Sequence, residues 1–68
     1  MGFSYKPLWK LLIDKDMTKK ELMSITGISK STMDKMGRKE YVSLEILGRI
    51  CEKLDCGIED VVLYNKEA

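Results

Sequence analysis

The sequence predicts an all-α chain of five short helices around one core. Two helix starts stand eleven positions apart, at Thr18 and Ser29, with the glycine Gly27 between them. Apolar residues recur at three- and four-residue steps along most of the chain, the spacing of a helix face. The only proline, Pro7, stands where a helix can begin without losing an amide hydrogen bond.

In chain order, Pro7 opens helix 1, and Leu8, Leu11 and Leu12 give it an apolar stripe. The polar run Asp14-Lys15-Asp16 closes it near Met17. Helix 2 covers 18–26. Thr18 followed by Glu21 is a capping box, satisfying two amide donors that have no partner inside the helix. Leu22 and Ile25 form its expected apolar face, and Gly27 ends it, because an abrupt stop favours a residue that can turn left-handed. Ile28 pins the turn. Ser29 then caps helix 3, over 29–37, whose apolar residues are Met33 and Met36.

Residues 37–42 read as a connecting loop. Ser43 caps helix 4, and Glu45 in its first turn suits the positive end of the helix dipole. Leu44, Leu47, Ile50, Cys51 and Leu54 make its core stripe, and Asp55-Cys56-Gly57 ends it. Ile58 to Leu63 is expected to close the core as a fifth short helix, with residues 65–68 fraying. A short helix, a turn containing glycine and a second short helix over 18–37 form a helix-turn-helix, a pattern that points to DNA.

Composition removes most other function classes. Sixty-eight residues make one domain, spanning 1–68, near the lower limit for a core that stands without staples. An apolar share of 44% and a charged share of 34% fit a globular chain rather than a disordered one. No apolar run approaches the roughly 20 residues of a membrane span. No long secretory segment opens the chain, so a cytoplasmic location is expected. With two cysteines and no histidine, one chain cannot assemble a four-ligand zinc site of the usual kind. Cys51, among Leu47, Ile50 and Leu54, reads as a small buried thiol; nothing in the sequence assigns Cys56 a role. Nucleophile candidates lack a histidine base, and there is no glycine-rich phosphate loop. Neither an enzyme nor a cofactor is expected, and the chain is too short for a separate small-molecule effector domain.

Charge is distributed unevenly beneath a net +1. Residues 1–18 carry three basic and two acidic side chains, residues 19–39 six and two, and residues 40–68 three and seven. The positive surplus coincides with the helix-turn-helix, where phosphates would lie. The acidic remainder would face away from DNA or toward another protein.

Taken together, these pieces resemble the Cro/phage-repressor type of helix-turn-helix domain, the xenobiotic-response-element-like transcriptional regulators. The pieces are Thr18-x-x-Glu21-Leu22, Gly27-Ile28-Ser29 with Ser31-Thr32-Met33, and Ser43-Leu44-Glu45 leading to Leu54-Asp55-Cys56. The likeness runs from about Tyr5 to Leu63. In particular it is similar to the short single-domain bacterial members that open with Tyr-Lys-Pro-Leu and carry Gly-Ile-Ser-x-Ser-Thr before a Lys-Met-Gly, here Gly27 to Thr32 and Lys35-Met36-Gly37.

The resemblance implies a compact five-helix, lambda-repressor-like domain that binds double-stranded DNA, by default as a repressor. Helix 3 would enter the major groove while helix 2 crosses the backbone. Carried onto this chain, the base-contacting positions are Ser29, Lys30, Ser31 and Lys35. Lys30 and Lys35 lie about 140° apart around the helix axis, so both cannot sit at the centre of one groove floor. Thr18, Lys19 and Lys20 at the start of helix 2, with Thr32, Arg38 and Lys39, are the phosphate candidates. Three positions depart from the broad family: Met23 replaces alanine, Lys19 replaces glutamine and Gly37 replaces glutamate. Base preference therefore cannot be copied from a phage repressor.

One helix 3 reads only a few base pairs, so a homodimer on an inverted-repeat operator is expected. Phe3, Tyr5 and Trp9 near one end, and Val62, Leu63 and Tyr64 near the other, are expected to contribute to a self-complementary patch; the competing reading is that Trp9 and Tyr64 complete the core. The rival class is a helical protein-interaction module without specific DNA binding, using the acidic helices 4 and 5. The exposed face expected of helix 3 carries Lys30, Ser31 and Lys35 with no large apolar residue, which suits a groove better than a protein interface.

Overall fold

A computed structural model describes residues 2–66. Strand β1 (Gly2–Ser4) leads into four α-helices, α1 (Lys6–Asp14), α2 (Lys19–Thr26), α3 (Lys30–Gly37) and α4 (Leu44–Leu54). A single 3-10 turn (Ile58–Asp60) and strand β2 (Leu63–Asn65) follow.

The helix starts lie where the local chemistry places them. Thr18 accepts the Glu21 amide at 3.1 Å, and the Glu21 carboxylate accepts the Thr18 amide at 3.0 Å, completing the capping box. Ser29 and Ser43 accept the amides of Thr32 and Ile46, each at 3.2 Å. Gly27 closes α2 at φ 74°, ψ 13°, where a β-carbon would crowd the backbone.

The core is assembled from one stripe of each α-helix. Leu8 and Leu12 of α1, Leu22 of α2, Met33 and Met36 of α3, and Leu47, Ile50 and Leu54 of α4 are all buried. Ile28 in the turn and Val61 after the 3-10 turn fill the remaining space. Leu11 and Cys51 are only half-buried at its edge.

Two expected core residues face solvent. Ile25 is 40% exposed and Leu44 is 80% exposed. On α2 the helix turns Leu22 and Thr26 inward, four residues apart, and Ile25 falls outside that line. The inward Thr26 hydroxyl donates to the Leu22 carbonyl at 2.7 Å and accepts the Ile28 amide at 3.4 Å, tying the turn to the helix. Leu44 occupies the first position of α4, a full turn short of where that helix meets the core.

The expected fifth helix does not form. Residues 58–60 make one 3-10 turn, Val61 buries completely, and residues 63–65 extend. β2 pairs antiparallel with β1, Gly2 opposite Asn65, Phe3 opposite Tyr64 and Ser4 opposite Leu63. Val61 still lies in the turn at φ −113°, ψ −44°, and the chain extends only beyond it, where the β1–β2 ladder satisfies amides that a three-residue helix would leave open. Asn65 is thus in a strand rather than frayed. Of the expected fraying segment, Glu67 and Ala68 lie outside the described residues.

Tyr5 fastens the sheet to the loop beyond α3. Its ring is buried, and its hydroxyl donates to the Glu40 carbonyl at 2.8 Å. Burial raises its pKa, while the Val42 amide, a hydrogen bond that favours the phenolate, partly offsets that rise.

Candidate nucleic-acid interface

The start of α2 and the outer face of α3 are two polar, exposed segments of the helix-turn-helix, separated by residues 21–28. Thr18, Lys19, Lys20, Ser29, Lys30, Ser31, Lys35, Arg38 and Lys39 are all exposed; Thr32 is half-buried. The reason is the three-residue step from Met33 to Met36. With both methionines turned into the core, α3 has only polar residues left for its outer side.

The structure brings together two sets of expected contacts and leaves several of them already engaged. The Ser29 oxygen accepts the Thr32 amide, and its hydroxyl donates to Thr32 Oγ1 at 3.1 Å. Both residues are therefore occupied in the cap of α3. Lys30 lies 3.7 Å from Asp34, one turn on, with both side chains largely in water. Such an exposed pair is worth well under about 1 kcal/mol, so it leaves the ammonium available. Ser31 and Lys35 have no such partner among the hydrogen bonds and ion pairs above.

The flanking cations differ from one another. Lys19 Nζ sits 4.3 Å from the centre of the Trp9 ring, a cation–π contact that steers the lysine over α1. Trp9 is half-buried against the core, and this pairing was not legible in the sequence. A lysine and a tryptophan ten positions apart, on different helices, carry no local signal. Arg38 Nε donates to Glu40 Oε2 at 2.6 Å. That hydrogen bond and the attraction behind it raise the Arg38 pKa and lower that of Glu40, so each holds the other charged. Arg38 is thus partly neutralised, and Lys39, at φ 63°, turns the chain out of α3 in a left-handed conformation.

Glu21 is the one acidic side chain at the start of α2, and its carboxylate is held back on the Thr18 amide. Lys19 and Lys20 outnumber it there. The arrangement can attract an anionic backbone through mobile ammonium groups and the positive ends of two capped helices, and it offers short polar side chains between them.

Among the described residues no group of three or more potential metal ligands occurs, and no helix is long and apolar enough to cross a membrane. An open concavity lies elsewhere, beside β1, β2 and Tyr41.

Comparison with known proteins supplies the family. Search among curated proteins yields no match. Among solved structures, the crystal structure of the transcriptional regulator VanUg (Form II) superposes with a TM-score of 0.93 at 50% sequence identity. The match covers 97% of this chain and 88% of that one. The family model of the Cro/C1-type HTH DNA-binding domain matches residues 7–67. A match over nearly the whole chain, with the capped α2–turn–α3 unit inside it, means that this protein belongs to the Cro/C1-type helix-turn-helix DNA-binding domain family.

Proposed function

We propose that the protein is a small transcriptional regulator, by default a repressor, that binds double-stranded DNA sequence-specifically through α3. The observation that carries this reading is the outer face of α3, where Lys30, Ser31 and Lys35 are exposed on a short helix with no large apolar neighbour. A lysine can donate to guanine O6 or N7, and serine can pair with several base edges. Ser29, held in its own cap, contributes mainly by fixing the start of α3. Thr18, Lys19, Lys20, Thr32, Arg38 and Lys39 would touch phosphates, which set register and affinity without reading sequence.

The eight residues of α3 span about 12 Å, enough for a few base pairs only. Two copies are therefore needed for a useful operator. Half-sites about 34 Å apart, one turn of the duplex, would let each copy place its α3 in the groove on the same face. The pairing of β1 with β2 brings residues 2–4 and 63–65 together, with Phe3, Leu63 and Tyr64 exposed on them. Tyr5 belongs to the core and leaves that patch, while the exposed ring of Tyr41 joins it, edge-on to Phe3 at 5.5 Å. This patch is the proposed self-association surface. Sedimentation showing monomer alone at high concentration, with and without DNA, would overturn it.

A protein-interaction role on the acidic side has one observation in its favour. Leu44 and Ile58 are exposed there, beside Glu45, Glu59 and Asp60. Selection of bound duplexes from a random pool at near-physiological salt separates the two readings. An enriched inverted repeat with half-sites about one turn apart supports the regulator. Binding without enrichment that collapses as salt rises leaves only phosphate attraction and favours the protein partner.

A further inference from the structure

We propose that Cys51 and Cys56 form a reversible intramolecular disulfide across the C-terminal cap of α4. The cap carries the six-to-one hydrogen bond of a Schellman motif, beside a five-to-one bond from the Asp55 amide to the same carbonyl. Asp55 turns left-handed at φ 51°, ψ 56°, and the Cys56 amide donates back to the Cys51 carbonyl at 3.0 Å. A six-to-one hydrogen bond of this kind folds the chain over the helix end and brings the side chains of its first and last residues into contact. In most such caps that contact joins two hydrophobic side chains. Here it joins the only two thiols of the chain.

The setting permits the chemistry. Both thiols are free and half-buried, so neither is sealed in the core. A disulfide requires β-carbons roughly 3.5–4.5 Å apart, a separation that facing residues in a tight turn can reach without moving a helix. Burial raises the Cys56 pKa, and the neighbouring Cys51 thiol and the Asp60 carboxylate raise it further, while Lys15 acts in the opposite sense. A raised pKa keeps more of Cys56 in the thiol form, so attack by Cys56 accelerates as the solution becomes alkaline, since the thiolate is the attacking species.

The oxidant is a small-molecule disulfide such as glutathione disulfide. One protein thiolate attacks a sulfur of the oxidant; that S–S bond breaks and one glutathione leaves, taking up a proton. The second protein thiolate attacks the protein sulfur of the mixed disulfide, and the second glutathione leaves with another proton. The two cysteines lose two electrons and two protons in all, and the oxidant gains both. The bond would fasten the end of α4 to the segment entering the 3-10 turn, independently of what the chain binds.

The test equilibrates the full chain in glutathione buffers of graded ratio, native and in urea, followed by acid quenching and intact-mass measurement. The expected result is loss of two hydrogen masses with no lasting glutathione adduct. The effective thiol concentration in the native chain should be at least about tenfold above that in urea. C51S and C56S should instead accumulate the glutathione adduct. A native chain that stays reduced, that accumulates the adduct or forms covalent dimers, or that matches the denatured chain, would overturn the proposal. The decisive comparison uses the unmutated protein, so it does not depend on the folding of either variant.

Discussion

Helices α3 and α4 are capped in the same way, each by a serine oxygen that accepts the amide three residues on at 3.2 Å. Their lengths and burdens differ. α4 has eleven residues and buries Leu47, Ile50 and Leu54, against which α2 and the 3-10 turn pack. α3 has eight and buries only two methionines, flexible side chains that fill space without dictating it. Of these two helices α4 thus carries more of the core, while α3 leaves more of its surface to present a polar face. Stability and recognition should then respond to different mutations.

The largest expected effect tests the stability half. Ile50 is fully buried, and Ile50→Ala should cost about 2–5 kcal/mol by chemical denaturation, through lost transfer energy and the cavity left behind. The fraction that remains folded should keep its base preference. A changed preference would mean that α4 shapes recognition directly.

Lys30→Ala addresses the other helix. It should leave stability nearly unchanged, since its pair with Asp34 is exposed, yet remove about 1–3 kcal/mol of discrimination at one base position. Lys19→Ala should weaken all sequences alike and flatten the salt dependence by about one unit. Equal effects from the two substitutions, in competition binding across a salt series, would erase the distinction between reading and holding.

The two caps sharpen the contrast further. Ser29→Ala and Ser43→Ala should each cost about 1 kcal/mol of stability. Only the first should also lower DNA affinity measured on folded protein, because Ser29 fixes the start of α3. Matching losses of affinity would assign the effect to general destabilisation.

The smallest effect concerns the loop after α3. The Glu40 pKa is held below the ordinary carboxylate range, first by its hydrogen bond from Arg38. A lowered folded pKa means that this contribution is present above the ordinary pKa and is lost as pH falls through the lowered one. An NMR titration of Glu40 should show the depression, and Arg38→Ala should remove most of it, leaving the smaller pull of Lys35. An unaltered midpoint in that variant would point to another cause.

Much of the helix-turn-helix was legible because its instructions are local. Thr18 with Glu21, Gly27, Ser29 and Ser43 act over three or four residues, and each stands where the structure uses it. The β1–β2 pairing was not legible, since two three-residue strands sixty positions apart leave no periodicity to read. The short apolar run from Ile58 to Leu63 suits a helix or a strand equally well, and only a partner strand decides between them. Ile25 and Leu44 were misjudged for a different reason. Helical spacing marks a residue as able to face the core, but the orientation of the whole helix determines which of the eligible residues does so. The exposure of Ser29, Lys30, Ser31 and Lys35 followed from the Met33–Met36 step; the engagement of Lys19 with Trp9 and of Arg38 with Glu40 required the tertiary fold.

The most direct measurement is amide chemical-shift mapping of the labelled chain titrated with its selected duplex. If α3 is the reading element, perturbations should concentrate at residues 18–20 and 29–39 and should leave the buried stripe of α4 nearly still. Perturbations centred on α4 and the 3-10 turn, with α3 unmoved, would contradict the assignment of recognition to α3.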